Sequence, residues 1–370
     1  MKINFFSTTI NKSILRRINL ILKKGNISSG EKSELFEKRF CANFSLKNCT
    51  AVNSGTSALH LALCCADIKR GDEVILPAQT FLATAMVVLY QNAKLVFADI
   101  QKDTGNICPI SIKQKITKKT KAIIAVHWGG YPCDMLEIRK IAKEKKILLI
   151  EDAAHALGSF YNNKPIGSIS NFTCFSFQAI KHLTTGDGGM LVCQKKQHHK
   201  LAQKLKWFGI NRNSKSFLLG ERNFQLYRLG YKYHMNDIAA IMGLENMKII
   251  KNKIRYLDKL ANYYQKNLSN VPGIVLLKKT KDRKSSNWLF TILVNKRDAF
   301  FKMMIGYGIP VSVVHRRIDR FKLFGGINKE LAGQNYFDKH QICLPLNDQL
   351  NKKHLDYIIR IIKENTQVLS

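Results

Sequence analysis

Five short apolar runs, separated by helix-length stretches, set the strongest limit on how this chain can fold. They are Glu73-Val-Ile-Leu76, Lys94-Leu-Val-Phe-Ala-Asp99, Ala122-Ile-Ile-Ala-Val-His127, Ile147-Leu-Leu-Ile-Glu-Asp152 and Gly189-Met-Leu-Val-Cys193. Runs that are continuously apolar, rather than alternating, belong to strands covered on both faces. The helical stretches between them supply that cover, so the pattern predicts an α/β fold with a mostly parallel central sheet. Upstream, residues 14–25 and Ser33 to Phe44 read as helices, the first closed by Gly25. Asn236 to Asp258 reads as one long helix bridging to a second unit. That unit has a strand at Trp288 to Val294, a helix at Asp298 to Tyr307 and a last helix at Leu355 to Glu364. The expected division is a large domain over residues 1–250 and a smaller α+β domain over 251–370, a reasonable partition for 370 residues.

Composition removes several function classes. No run reaches the roughly 18 apolar residues of a membrane helix, and Met1 to Ser13 lacks the parts of a signal peptide. The nine cysteines include no Cys-x-x-Cys pair, so neither a zinc site nor a disulfide framework is expected, and a reduced, cytoplasmic protein is. Sixty Lys+Arg against 26 Asp+Glu leave a net charge of +34, which raises nucleic-acid binding as a rival class. The bases are mostly lysine and spread along the chain. The densest cluster, Lys278 to Lys284, has no interleaved aromatics, so a solvated surface or attraction to an anionic small-molecule partner is expected instead.

The chemistry concentrates in residues 151–189. Asp152 ends an apolar run, at the carboxyl edge where open α/β sheets place ligands. A carboxylate there can hold a protonated ring nitrogen, although alone Asp152 also reads as a helix N-cap. Lys181 lies in an otherwise uncharged segment, Phe-Ser-Phe-Gln-Ala-Ile. Burial would lower its pKa and free the amine to attack an aldehyde; a lysine snorkelling from a strand end is the alternative. Asn53-Ser-Gly-Thr-Ser57 precedes a helix predicted from about Ser57, and its free N–H groups with the nearby hydroxyls suit an anion or simply cap the helix. Ser176 can add a hydroxyl. Phe81 emerges after the strand Val74–Leu76 and can stack on a flat ring or join the core. His155, three positions after Asp152, would share its face if a helix starts there. The order of acid, serine and lysine is the layout that holds pyridoxal phosphate.

With these segments the chain resembles the nucleotide-sugar aminotransferases of the DegT/DnrJ type, from about Gly30 to the final helix. The strongest portions are Asn53 to Leu63, Gly71 to Thr84, Glu151 to Gly158 and Phe175 to Gly189. The resemblance implies the pyridoxal 5'-phosphate-dependent transferase fold type I. It implies Lys181 as the Schiff-base lysine and catalytic base, Asp152 as partner of the ring nitrogen, Phe81 as stacking aromatic and His155 against the other side of the cofactor. Gly55, Thr56 and Ser176 would bind its phosphate. Family members act as homodimers with shared sites, and Gly230-Tyr-Lys-Tyr-His234 matches a segment that reaches the neighbour's phosphate, with Lys232 where asparagine is common. Val314-His-Arg-Arg317 matches a substrate-contacting loop, and His315, Arg316 and Arg317 would face the diphosphate; surface charge is the alternative for the arginines. The implied reaction moves an amino group from L-glutamate to a keto-deoxysugar linked to a nucleotide, for glycan or lipopolysaccharide O-antigen biosynthesis. A 4-keto sugar is expected, with a 3-keto sugar or a dehydration as alternatives. Lys181 stands against the dehydratases that carry histidine in its place. No metal, nucleic acid or membrane is expected as a partner.

Overall fold

A computed structural model describes residues 2–25, 27–211, 217–218, 221–222 and 225–368. Seven strands form the main sheet: β1 (Cys49–Val52), β2 (Glu73–Pro77), β3 (Lys94–Ala98), β4 (Thr120–Val126), β5 (Leu148–Asp152), β6 (Phe172–Ser176) and β7 (Gly189–Cys193). Their spatial order is β1-β7-β6-β5-β4-β2-β3. The pairs from β3 through β2, β4 and β5 to β6 are parallel. Strand β7 runs against both of its neighbours.

Each face of the sheet is buried, as continuous apolar strands require. Ile75, Ile123 and Phe175 point to one face, where Phe36 and Phe40 of the helix Glu31–Phe44 meet them. Val74, Leu76, Ile124 and Ile150 point to the other, under the helix Gly55–Cys65. A third apolar cluster joins the helix Ile250–Leu268, the helix Lys352–Glu364 and a three-stranded antiparallel sheet of Ile274–Leu276, Phe290–Val294 and Gln341–Leu344. Ile3, at the other end of the chain, is buried in this same C-terminal cluster. The residues before Ser13 therefore cross both parts of the molecule: Ser7 Oγ donates to Asp348 Oδ1 (2.7 Å) and Thr8 Oγ1 to the Ala179 carbonyl (3.0 Å).

Two expectations change. The long helix predicted over Asn236–Asp258 is two helices, Asp237–Met247 and Ile250–Leu268. The break follows Asn246, whose side chain donates to the Thr184 carbonyl and accepts the Asn11 N–H, anchoring the first helix end to two other segments. Cys41 and Cys49, with Cα atoms 6.2 Å apart, are joined to each other, against the expectation of reduced cysteines without a disulfide. The basic cluster at Lys278 to Lys284 is partly structural. Arg283 pairs with Asp134 and Asp282 (both 2.7 Å), and Arg283–Lys284 forms a short strand against Phe160–Tyr161. Among the described residues no helix is long and apolar enough to cross a membrane.

Candidate active site

Strand β5 ends in two adjacent buried carboxylates that face opposite sides. Glu151 turns away from the sheet edge: its Oε2 accepts from His127 Nε2 (2.9 Å) and its Oε1 from Thr173 Oγ1 (2.9 Å). His127 Nδ1 accepts the Cys133 N–H (3.1 Å), which fixes the proton on Nε2. Asp152 faces a cavity of about 450 Å³. Its Oδ2 accepts from Thr84 Oγ1 (2.8 Å) and its Oδ1 from the Ala154 N–H (3.2 Å). Burial pushes the Asp152 carboxyl up; the hydrogen bonds and the nearby Lys181 amine oppose this. No helix follows Asp152, because residues 153–158 form turns. The capping role is thereby removed, and His155 reaches the cavity through a turn rather than on a helical face.

Lys181 enters from the connection between β6 and β7. Its backbone N–H donates to the Gln178 carbonyl (2.9 Å), and the half-buried side chain lines the cavity. Burial drives the amine down to about 7, with Asp152 pulling the other way. A comparable share of neutral and charged amine is therefore present at neutral pH, which an amine that attacks a carbonyl and then carries a proton needs.

The helix Gly55–Cys65 points its N-terminus into the same space. Ser54 caps it by accepting the Ser57 N–H (3.0 Å), leaving the first-turn N–H groups of Gly55 and Thr56 without an intrahelical acceptor. Ser176, at the end of β6, is packed hard against this turn: a Cβ on Gly55 would stand only 2.9 Å from Ser176 Cβ. Gly55, Thr56 and Ser176 thus share one wall of the cavity.

Two imidazoles complete the lining. His155 is buried, and its Nδ1 has no hydrogen-bond partner; the same holds for His315 Nε2. The rings lie nearly parallel, 5.6 Å apart. Burial holds His155 well below the ordinary histidine range and His315 at about 4, so both are neutral at pH 7. Buried polar atoms ordinarily find partners; two orphaned nitrogens on one cavity wall mark where a polar ligand belongs. Phe81 is 50 % exposed, with its ring 5.4 Å from that of His315.

Gly55, Thr56, Phe81, Asp152, His155, Ser176, Lys181 and His315 therefore surround one cavity. The other expected residues do not reach it. Lys232 is exposed and outside this lining; its carbonyl accepts from Asn53 Nδ2 (3.4 Å). Arg316 pairs with Asp338 (2.8 Å). Arg317 is buried, its fork on Asp319 (both contacts 2.6 Å) and its remaining donors on Asn335 and the Asn328 carbonyl. Neither arginine lines this cavity: the donors of Arg317 are used within the chain, and the half-exposed Arg316 is held by Asp338. Several lining residues were given no role by the sequence, Thr84, Trp288 and Phe6 among them. Thr84 was visible only as the last residue of the Pro77–Thr84 stretch, Trp288 was read as the start of a strand, and Phe6 carried no signal.

Pyridoxal 5'-phosphate fits these residues. An amine with depressed pKa, a buried carboxylate, an anion-receiving helix end beside a serine and two unpartnered imidazoles are the groups its aldehyde, ring nitrogen, phosphate and ring edge call for. The sequence matches the DegT/DnrJ/EryC1/StrS aminotransferase family over residues 8–363. It is 35% identical over 266 residues to GDP-perosamine synthase of Escherichia coli O157:H7, covering 72% of this chain and 70% of that protein. It is 30% identical over 366 residues to UDP-4-amino-4,6-dideoxy-N-acetyl-beta-L-altrosamine transaminase of Campylobacter jejuni, covering 96% and 95%. The fold superposes on the PLP form of the sugar aminotransferase Spr1654 from Streptococcus pneumoniae with a TM-score of 0.92, at 28% identity and full coverage (100%) of both chains.

Proposed function

This chain belongs to the DegT/DnrJ/EryC1/StrS aminotransferase family, the pyridoxal 5'-phosphate-dependent aminotransferases of nucleotide sugars, and from that premise we propose that it transfers the amino group of L-glutamate to the 4-keto carbon of a nucleotide-linked deoxysugar. The observation that carries the reading is the Lys181 amine, held at about 7 in one cavity with the buried Asp152 carboxylate and the Gly55 helix end. Amination at C4 is supported by the relative whose name specifies a 4-amino sugar.

When bound, the cofactor supplies an electrophilic aldehyde carbon and an electron-withdrawing ring. The Gly55 and Thr56 N–H groups and the Ser176 hydroxyl receive its phosphate, using the partial positive charge of the helix end. Asp152, fixed by Thr84, holds the proton on the ring nitrogen. Phe81 would cover one side of the ring, and the neutral His155 would offer Nδ1 to its polar edge. With the cofactor bound, Lys181 Nζ would be the group that accepts a proton from the amino donor's α-carbon and hands it on. The keto sugar then enters, and Nζ moves protons in the opposite sense. His315 lines the sugar side of the cavity and can donate or accept one hydrogen bond there.

The working unit is a homodimer in which Lys232 reaches the neighbour's cofactor phosphate; its exposure, outside its own cavity, supports this. The reaction takes place in the cytoplasm, where it feeds glycan or O-antigen assembly, and residues 1–250 and 251–370 form the two domains. The test is the visible spectrum of cofactor-loaded protein before and after L-glutamate, followed by GDP-, UDP- or dTDP-4-keto-6-deoxysugars with mass analysis of the product. Loss of the lysine-linked band on adding glutamate, with nitrogen gained at C4 of the sugar, supports the reading. Loss of water without nitrogen gain overturns it.

A further inference from the structure

Trp288 supplies the surface on which the Lys181 amine rests. In the chain by itself, Lys181 Nζ lies 3.5 Å from the centre of the Trp288 ring. That ring is pinned more firmly than packing alone requires. Its backbone N–H donates to the Gly129 carbonyl (2.9 Å), and its indole N–H to the carbonyl of Ile180 (3.0 Å), the residue before the lysine. Phe6 stacks on it at 5.4 Å and His155 at 3.8 Å, both within about 21° of parallel. The preceding loop is tied to the same neighbourhood, with Ser286 Oγ donating to the His155 carbonyl (3.0 Å) and His182 Nε2 to the Ser286 carbonyl (2.9 Å). The indole is therefore a fixed plate beside a mobile amine.

We propose that Trp288 is a positioning residue for Lys181: its indole face receives the side-chain amine whenever that amine is free of the cofactor, and steadies it as an ammonium after it has accepted a proton. This rests on the reading of Lys181 as the cofactor lysine. A lysine that shuttles a proton has two opposed requirements. It must be neutral to accept the proton, which burial secures, and tolerable when charged, which burial opposes. Asp152 is the carboxylate that acts on it, and Thr84 and the Ala154 N–H already engage that group. The negative face of an aromatic ring attracts a cation without adding a group that could itself take the proton. Other titratable groups around the amine include the imidazoles of His155, His182 and His315, all driven down by burial and neutral at pH 7, with Cys174 and Asp187 on the same cavity and the Lys253–Asp348 pair (3.4 Å) behind it. His155 and His315 themselves stack on Trp288, so fluorination, which leaves that packing in place, is the change whose effect on the amine's titration reports the indole.

The experiment uses the full-length protein without cofactor. Cyanate carbamylates only neutral amines, and its rate at Lys181 is followed across pH by peptide mass analysis. The wild-type midpoint is expected near 7. Trp288→Leu should lower it by about one pH unit, and Trp288→Phe by about half as much, the size expected of losing or weakening a desolvated cation–π contact. Uniform replacement of the three tryptophans by fluorinated tryptophan keeps the shape while weakening the ring's negative face. The midpoint should fall with each added fluorine, which keeps the test decisive even if Trp288→Leu does not fold. A midpoint that ignores fluorination overturns the proposal. So does a rise toward the ordinary lysine value in Trp288→Leu, because the indole would then only exclude water. Transamination measured separately on the cofactor-loaded protein tells the two readings apart: a fluorine-dependent midpoint in a protein that never exchanges with an amino donor sinks the reaction but keeps the lysine–indole contact.

Discussion

Gly55→Ala tests the phosphate cradle with a single methyl group. The backbone at Gly55 is helical, so alanine costs nothing in φ; inside a helix it would gain up to about 1 kcal/mol over glycine, and less at the first position. The new Cβ would lie 2.9 Å from Ser176 Cβ. Carbon atoms rest at about 3.5–4.0 Å, so the helix end and Ser176 must part by about 0.6–1 Å. Such overpacking costs about 1–3 kcal/mol, which the helical gain partly offsets, leaving stability lower by less than about 3 kcal/mol. Cofactor binding suffers more. Hydrogen bonds to a charged phosphate contribute about 1.5–3 kcal/mol each, and displacing the Ser176 hydroxyl and one N–H by that distance forfeits most of one to two of them. Affinity should fall about 10- to 100-fold or more at roughly 1.4 kcal/mol per decade. Equilibrium dialysis against pyridoxal 5'-phosphate measures the affinity and urea unfolding of the cofactor-free protein measures the stability. Affinity within twofold of wild type, with the variant folded, would refute the assignment of Gly55 and Ser176 to the phosphate.

Three further outcomes are expected. Lys181→Ala should abolish exchange with L-glutamate while far-UV circular dichroism stays unchanged; retained turnover sinks the mechanism. Arg317→Lys should lower stability by about 3 kcal/mol, because a single ammonium cannot replace the buried fork on Asp319, while KM for the sugar stays constant; a tenfold rise in KM at full stability would restore the diphosphate role. Cofactor-free protein should lose stability as pH falls from about 6.5 toward 4. His60 and His315, held at about 4, and His182, at about 3, bind protons more weakly folded than unfolded. Each contributes stability that is complete above the unfolded value and is lost at up to about 1.4 kcal/mol per pH unit below it; Asp152, raised by burial, opposes them at the acid end. Urea midpoints between pH 7 and 4.5 that do not fall would contradict the burial of these rings.

Much of this architecture was legible because local rules and the tertiary context agree. Strand β7 has the bounds its apolar run announced, and Gly25 ends the first helix in the left-handed conformation that glycine favours. Asp152, taken from a strand end, follows from the topology of parallel sheets, whereas Ser176, expected on a loop, is the last residue of β6. What stayed hidden depends on partners distant in sequence. The helix break after Asn246 comes from contacts to Asn11 and Thr184, and no periodicity encodes them. The pairing of Arg317 with Asp319 was not legible because its acceptor, though two positions away, lies in a segment whose conformation no pattern announces. Trp288 and Phe6 reach the cavity from opposite ends of the chain, and each alone reads as an ordinary apolar residue.

The single reversed strand has a consequence for how the lysine can be delivered. In a wholly parallel sheet, the chain leaving β6 would cross a face and return at the amino edge, carrying its connection's middle far from Asp152. Because β7 runs backward, residues 177–188 make a tight U-turn that never leaves the carboxyl edge, and Lys181 sits within that U-turn. The reach of the amine is thus fixed by a short tether clamped at both ends, by Ser176 against Gly55 and by Gly189 against Ser54. Lengthening this tether by even one residue should misaim the amine, whereas loops on the opposite edge, such as the turn at Lys145 and Lys146, are free to vary in length.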